Sequence, residues 1–123
     1  MVANTTASKK QKGRKFQQLV AGKIREEFNL PDLDVVSTSM GAGGVDIKLS
    51  ALALATFPYS VECKFNERAG PMYKWYDQAC YNTYENSEPL LVVKASRQKP
   101  LAIVDLDYFL KLANKAGVML DKV

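Results

Sequence analysis

The spacing of apolar positions predicts three helices along the chain. Apolar residues recur at every third or fourth position over residues 13–28, which predicts an amphipathic helix. A second helix is predicted over residues 73–84. A third begins after Asp105 or Asp107, either of which can cap it, and runs through Leu112. The apolar stripe of the first helix consists of Phe16, Leu19, Val20, Ile24 and Phe28.

Short apolar runs bounded by turn residues predict five strands between these helices. The strands cover residues 33–38, 45–49, 59–65, 90–95 and 101–104. Residues 51–55 are apolar and rich in helix formers, and we take them as a continuation of the second strand before a turn at Phe57 and Pro58. The resulting order, α-β-β-β-α-β-β-α, predicts an α/β fold with a mixed β-sheet flanked by helices.

Charge is unevenly distributed along the 123 residues, which have the length of one domain. We place that domain at residues 12–123 and interpret the small, polar and basic residues 1–11 as a disordered arm. Five basic and no acidic residues lie within the first 15 positions, whereas the remainder has 12 basic and 13 acidic residues. A basic arm suits a polyanion such as DNA, and a solubilising terminus is the alternative.

The residue types that are missing exclude several chemistries. The chain has two cysteines and no histidine, which argues against a zinc site, a disulfide framework and a Ser-His or Cys-His hydrolase. No apolar run reaches the roughly 20 residues that a membrane-spanning helix needs. A reducing cytoplasm is the expected compartment.

Two acidic residues and a lysine form the most informative pattern in the chain. A glycine-rich turn leads into Asp46 at the start of the second strand, and Glu62 and Lys64 lie two residues apart on the third. Side chains two apart on a strand point to the same face, and a hairpin can bring Asp46 beside Glu62. Such a trio can hold a divalent metal and a water. The alternative is a surface ion pair between Glu62 and Lys64, which contributes little.

These motifs, in this order, resemble those of the PD-(D/E)XK nuclease superfamily, and in particular the phage and archaeal Holliday-junction resolvases. Residues 12–16 (KGRKF) resemble the opening of the first helix in that family. Residues 39–46 (SMGAGGVD) resemble its approach to the aspartate, and residues 61–64 (VECK) resemble its second motif. The resemblance covers roughly residues 12–112 and implies a restriction-endonuclease-like fold.

Roles for the site residues follow from phosphodiester chemistry and from the resemblance. Asp46 and Glu62 can ligate Mg²⁺, for which Mn²⁺ can substitute, and Lys64 can orient the attacking water and stabilise developing charge. The resemblance implies that the backbone carbonyl of Cys63 is a further metal ligand. It also implies a catalytic glutamine on the second helix, here Gln78. Where the family usually carries a glutamate on the first helix, this chain has Gln17. We take it as a candidate catalytic residue, because its amide can ligate the metal through its oxygen or position a water, although it supplies no charge.

The expected activity is Mg²⁺-dependent, structure-selective cleavage of four-way DNA junctions. The resemblance implies that a homodimer provides two active sites for two symmetric cuts. One alternative is a nicking or repair nuclease of the same fold. Another, favoured by Gln17, is a catalytically silent DNA-binding module. The candidate phosphate contacts are Lys9, Lys10, Lys12, Arg14, Lys15, Arg68 and Lys74, with Arg97 and Lys99 as weaker candidates.

Overall fold

A five-stranded mixed sheet with helices packed against it forms the framework of the protein. The computed structural model describes residues 6–38, 43–68 and 70–116. Residues 1–5 of the predicted arm and residues 39–42 of the glycine-rich turn lie outside the described residues. The elements in chain order are α1 (Thr6–Phe28), a 3-10 turn (Asp32–Asp34), β1 (Val35–Ser37), β2 (Ile47–Leu49), α2 (Ala51–Thr56), β3 (Tyr59–Phe65), α3 (Met72–Tyr81), β4 (Glu88–Lys94), β5 (Leu101–Ile103) and α4 (Leu106–Ala116).

The strands lie side by side in chain order, from β1 to β5, so β3 is the central strand. β3 pairs in parallel with β4 over its whole length, and α3 makes the crossover that parallel strands require. The other neighbours, β1 with β2, β2 with β3 and β4 with β5, are antiparallel. The prediction of a mixed α/β sheet flanked by helices is therefore confirmed.

Helix α1 is longer than the pattern predicts. It begins at Thr6 rather than at Gly13, so residues 6–11 of the segment interpreted as a disordered arm are helical. The segment contains alanine, lysine and glutamine, which are good helix formers, and the high charge of the segment concealed that propensity. The buried stripe of α1 also differs from the predicted one, because Leu19 and Phe28 are exposed at 42% and 37%. It consists of Phe16, Gln17, Val20, Ala21 and Ile24.

Helix α2 corrects the prediction that residues 51–55 continue the second strand. Ser50 caps this helix, because its side-chain oxygen accepts a hydrogen bond from the N–H of Ala53 at 3.1 Å. Ala53 is fully buried in the core, which ties the short helix to the sheet. The alanine and leucine residues that follow Ser50 favour a helix once the cap is in place.

The remaining boundaries differ from the predictions by a few residues. β1 is shorter than predicted and follows the 3-10 turn, while β2 begins at Ile47 and leaves Asp46 just outside the strand. α3 ends at Tyr81, and β4 begins earlier than predicted, at Glu88. Asp105 is the cap of α4, because its carboxylate accepts a hydrogen bond from the N–H of Tyr108 at 2.9 Å.

The main core lies between α1 and one face of the sheet. Val35, Ile47 and Val61 are fully buried there, and the ring of Phe16 packs edge-on against Phe65 at 6.1 Å. Cys63 belongs to the same cluster. Because side chains alternate along a strand, Ser60, Glu62 and Lys64 of β3 point to the opposite face, which α3 covers. The sheet therefore separates the apolar core from the face that carries the candidate site.

Candidate active site

Glu62 is a buried carboxylate in the middle of the central strand. The residue is only 3% exposed, and its Oε2 lies 3.8 Å from Nζ of Lys64. The two side chains share a face of β3, as their spacing predicts. The side chain of Lys64 is 29% exposed, so the ammonium group reaches the surface while the carboxylate does not. A solvated surface ion pair does not describe this arrangement, because one partner is withdrawn from water.

Asp46 reaches the same site from the point where β2 separates from β3. Its N–H donates a hydrogen bond to the carbonyl of Val61 at 3.0 Å, and its Oδ2 accepts one from the N–H of Cys63 at 2.8 Å. The Asp46 carboxylate thus accepts a hydrogen bond from β3 at a point where β2 no longer pairs with β3 through its backbone. The N–H and C=O of one strand residue point to the same neighbour, so the carbonyl of Cys63 also faces Asp46.

The loop that leads to Asp46 is fixed by β1 and by a glycine. Thr38 donates from its N–H to the carbonyl of Asp46 at 2.9 Å and from Oγ1 to the carbonyl of Val45 at 3.1 Å. Gly44 has a φ of 88°, in the left-handed region that side chains rarely adopt. The positive φ explains the glycine two residues before Asp46, because the chain turns there before it joins β2.

The two carboxylates interact electrostatically. The pKa of Glu62 is raised from 4.5 to about 7, chiefly because burial disfavours the charged form and then because the charge of Asp46 repels it. Lys64 and Asn82 oppose this rise. Burial likewise raises the pKa of Asp46, against the opposing effects of the Cys63 hydrogen bond and of Lys64. The fold therefore holds two acids close together in a poorly solvated place.

The donor set fits a hard divalent cation. Oε1 of Glu62 is buried and has no hydrogen-bond partner in the part of the chain that the structure describes. Such an oxygen lacks the partner that buried polar atoms normally have, and a cation or its bound water would supply one. Among the described residues, no three His, Cys, Asp or Glu side chains cluster. Two carboxylates and a backbone carbonyl, completed by waters, suit Mg²⁺ rather than zinc.

The thiol of Cys63 points away from this site into the α1 core. The residue is 8% exposed, and burial, followed by the charges of Asp46 and Glu62, raises the pKa of its thiol. A thiol of this kind stays protonated and unreactive at neutral pH. Its side chain therefore packs as a small apolar group, and only its backbone faces the site.

Gln17 lies within the buried stripe of α1, next to Phe16, and is 6% exposed. α1 packs on the sheet face opposite Glu62, and Oε1 of Gln17 has no hydrogen-bond partner within the described residues. No hydrogen bond joins the amide to Asp46 or Glu62 in this part of the chain. Gln17 thus lies inside the buried stripe, and its catalytic role stays a prediction.

Asn82, the residue that follows α3, acts on the charge of Glu62, and the predicted Gln78 is not among the groups that do so. Gln78 is exposed on the helix, and its carbonyl accepts a hydrogen bond from the N–H of Asn82 at 3.1 Å. The side chain of Asn82, one turn further on, favours the charged form of Glu62. Asn82 is not among the predicted site residues, although a residue four positions after a candidate lies on the same side of a helix.

Ser60 anchors the segment that follows α3 to the central strand. Its Oγ lies 2.6 Å from Oγ of Ser87 and accepts a hydrogen bond from the N–H of Tyr84 at 2.9 Å. Ser60 is 1% exposed, so these bonds satisfy a buried hydroxyl. Because this network lies two residues before Glu62 on the same face, it fixes the end of α3, and with it Asn82, against the site.

Three of the candidate phosphate contacts converge on one cleft, which we call the basic cleft. It lies between the first turns of α1 and the segment after β3, and it is lined by Lys9, Lys12, Phe65, Asn66, Glu67 and Arg68. The other candidates are exposed elsewhere, namely Lys10, Arg14 and Lys15 on α1 and Lys74 on α3. The basic cleft begins at Phe65, one residue after Lys64, although Lys64 itself does not line it.

No family model, curated protein or solved structure matches this chain. None of the helices that the structure describes is long and apolar enough to cross a membrane. The fold and site define an α/β protein with a five-stranded mixed sheet, in which a buried glutamate and a partly buried aspartate lie beside a lysine. A narrower assignment has to be argued from the chemistry of the site.

Proposed function

We propose that the protein is a Mg²⁺-dependent, structure-selective DNA endonuclease of the PD-(D/E)XK superfamily that resolves four-way junctions. One observation carries the proposal. Glu62 is a buried carboxylate with an unpaired oxygen, and it is held beside Asp46 and Lys64 where β2 leaves β3. A binding module has no need of such a group, because a buried carboxylate oxygen without a hydrogen bond lowers the stability of the fold.

The residues divide the chemistry between them. Asp46, Glu62 and the Cys63 carbonyl would hold the ion, which when bound lowers the pKa of a water and polarises the scissile phosphate. Lys64 stands at the boundary between the buried carboxylates and solvent. From there its ammonium group can contact the phosphate, orient the water and stabilise the charge that develops during attack. The Cys63 N–H keeps one oxygen of Asp46 occupied, which orients that carboxylate.

The basic cleft is the proposed contact surface for the DNA backbone. Lysine and arginine neutralise phosphates without reading the base sequence, which suits an enzyme that selects DNA by its branched shape. Lys9 and Lys12 lie on successive turns of α1 and share the cleft with Arg68. A DNA strand that crosses the cleft would therefore lie close to Lys64.

We expect a Lys9→Gln/Lys12→Gln variant to bind four-way junction DNA with a shallower salt dependence. Each lost phosphate contact reduces the slope of log K against log salt by about 0.9, so two lost contacts reduce it by about 1.8. Affinity is to be measured by fluorescence anisotropy in EDTA at several salt concentrations. The matched control is Lys23→Gln/Lys48→Gln, which removes two exposed lysines that do not line the cleft. Equal slopes for the two variants would contradict the proposed surface.

The proposal includes a homodimer, and the exposed face of α4 is the surface that supports it best. Leu106, Phe109 and Leu110 are 67%, 50% and 55% exposed, while Tyr108 on the other side packs against Tyr59. A two-fold interface brings the same patch together from two copies. If two α4 helices pair antiparallel, the acidic N-terminal end of each meets the lysines at the C-terminal end of the other.

Leu110→Arg is expected to convert the dimer to a monomer, because it puts an unpaired charge at the centre of the apolar contact. The dissociation constant should rise at least about tenfold in sedimentation equilibrium. Leu33→Arg is the matched control, because Leu33 is 89% exposed and lies in the 3-10 turn. A wild-type protein that sediments as a monomer, or a dimer insensitive to Leu110→Arg, would exclude this interface.

Two alternatives lead to different outcomes of one experiment. A nicking or repair nuclease of the same fold would cut duplex or flap DNA, and a silent module, which Gln17 favours, would bind without cutting. The protein should be incubated with labelled four-way junction, linear duplex and flap DNA, with and without Mg²⁺. Paired symmetric cuts in the junction that require Mg²⁺ would support the proposal. Cutting confined to duplex or flap, or binding with no cutting, would contradict it.

A further inference from the structure

A second groove opens on the other side of Lys64, between α3 and the β4–β5 hairpin, and we call it the tryptophan groove. Its apolar wall includes Trp75, Met72 and Leu101. Four basic side chains also line it, namely Lys64, Arg68, Lys94 and Lys99. Trp75 is partly exposed, and Gly70 lies along the edge of its ring, where an added Cβ would be 3.7 Å from the indole. The groove thus combines an aromatic surface with a positively charged rim.

The tryptophan groove is lined by more basic than acidic side chains, which favours an anionic ligand. Its acidic residue, Glu67, is already engaged, because its carboxylate accepts hydrogen bonds from Oγ and N–H of Ser96. Within the described residues, neither Arg68 nor Lys99 forms an ion pair. These two cations are therefore free to contact an anionic ligand, which would complement the charge of the rim.

We propose that the tryptophan groove binds one unpaired nucleotide of the branched DNA, an inference that rests on the proposed function. Its base would stack on Trp75 between Met72 and Leu101, and its phosphates would contact Arg68 and Lys99. Stacking on an aromatic side chain beside cations is the usual way in which proteins hold unpaired bases. Because Lys64 belongs to both sites, the bound nucleotide lies next to the reacting phosphate. The groove thereby favours DNA with an unpaired base near the point of cleavage.

The tryptophan itself reports on this site, because Trp75 is the single tryptophan of the chain. Its fluorescence should be titrated in EDTA with an eight-nucleotide thymidine oligomer and with an abasic oligomer of equal length. We expect the thymidine oligomer to quench the emission, and the abasic oligomer to bind through its phosphates without quenching. Equal quenching by both oligomers, or quenching by neither, would overturn the proposal. So would quenching by thymidine monophosphate at the same concentrations, which would indicate a small-molecule site.

Two variants provide an independent readout. Trp75→Leu should weaken binding of the thymidine oligomer about tenfold or more in an anisotropy assay, because stacking is lost. Its affinity for the abasic oligomer should stay unchanged. Leu101→Glu introduces a negative charge at an exposed edge-strand position of the rim and should have a similar effect on a protein whose fold is retained. If both folded variants bind the thymidine oligomer as the wild type does, the groove does not hold the base.

Junction cleavage in Mg²⁺ separates this inference from the proposed function. Quenching by the thymidine oligomer without any cleavage of junction DNA would support the nucleotide groove and overturn the nuclease. Cleavage of the junction by a wild type whose fluorescence does not respond would support the nuclease and overturn the groove.

Discussion

Asp46→Asn and Glu62→Gln are each expected to lower the rate of junction cleavage by about a thousandfold or more, while junction affinity stays within about twofold. Each substitution removes one charged ligand and nearly preserves the shape of the side chain. Charge stabilisation by a bound metal contributes several kcal/mol to phosphoryl transfer, which corresponds to a loss of this size. Binding should persist because the phosphate contacts lie in the basic cleft.

Matched controls separate a specific loss from a general effect of charge. Asp77→Asn and Glu85→Gln neutralise exposed carboxylates on α3 and in the loop after it. Both controls should cleave at the wild-type rate. Single-turnover kinetics at saturating protein measures the chemical step apart from binding. A site variant that cleaves at the wild-type rate in Mg²⁺ would show that the carboxylate it lost is not a metal ligand.

Lys64→Met tests the third member of the trio. It removes the ammonium group and keeps much of the length of the side chain. Lys64 lies beside the carboxylates without being a proposed ligand, so its loss should reduce the cleavage rate with little change in the Mg²⁺ requirement. A variant that cuts at the wild-type rate would remove Lys64 from the mechanism.

The central strand and the Glu62–Lys64 pair could be predicted because their local signals agree. The run from Tyr59 to Phe65 alternates apolar and polar residues, and its boundaries match the observed strand. The same alternation puts Glu62 and Lys64 on one face. Depth of burial is a property of the whole fold, since it depends on α3 covering that face. The sequence therefore indicated the pair and left open whether it lies in solvent or in the interior.

Other features depend on contacts that no local pattern contains. The hydrogen bond from Cys63 to the Asp46 carboxylate exists because β2 separates from β3 just before Ile47. α2 depends on a single capping contact from Ser50, in a segment whose composition also allows a strand. Gln17 is buried because the face of α1 that packs on the sheet is slightly rotated from the face that the apolar residues alone indicate.

The burial that forms the site should also lower the stability of the metal-free protein. Glu62 has a pKa of about 7 in the folded protein and an ordinary value of 4.5 when unfolded. The folded state therefore binds the proton more tightly, and stability falls as the pH rises from about 4.5 to 7. Below this window the acid is neutral in both states. Above it the loss is complete and amounts to roughly 3 kcal/mol.

Glu62→Gln is consequently expected to stabilise the protein in EDTA at pH 8, by up to about 3 kcal/mol, and to have little effect at pH 4.5. The free energy of unfolding is to be measured by urea denaturation at both pH values for the wild type and the variant. Taking the difference between the two proteins removes the contributions of the carboxylates that do not interact with Glu62. Glu26→Gln, at an exposed position of α1, is the control and should change stability little at either pH.

Mg²⁺ should reduce the stability advantage of the variant at pH 8. A ligand that binds only the folded state stabilises it by RT ln(1 + [L]/Kd), which is about 1.4 kcal/mol at ten times Kd. The wild type should gain this stability at pH 8, because Asp46 and Glu62 are both available as ligands, whereas Glu62→Gln should gain much less. A wild-type protein whose urea unfolding midpoint is the same with and without Mg²⁺ would argue against the metal centre. A Glu62→Gln variant less stable than the wild type at pH 8 in EDTA would show that the carboxylate is satisfied within the fold. The oxygen of Glu62 would then need no cation to explain it.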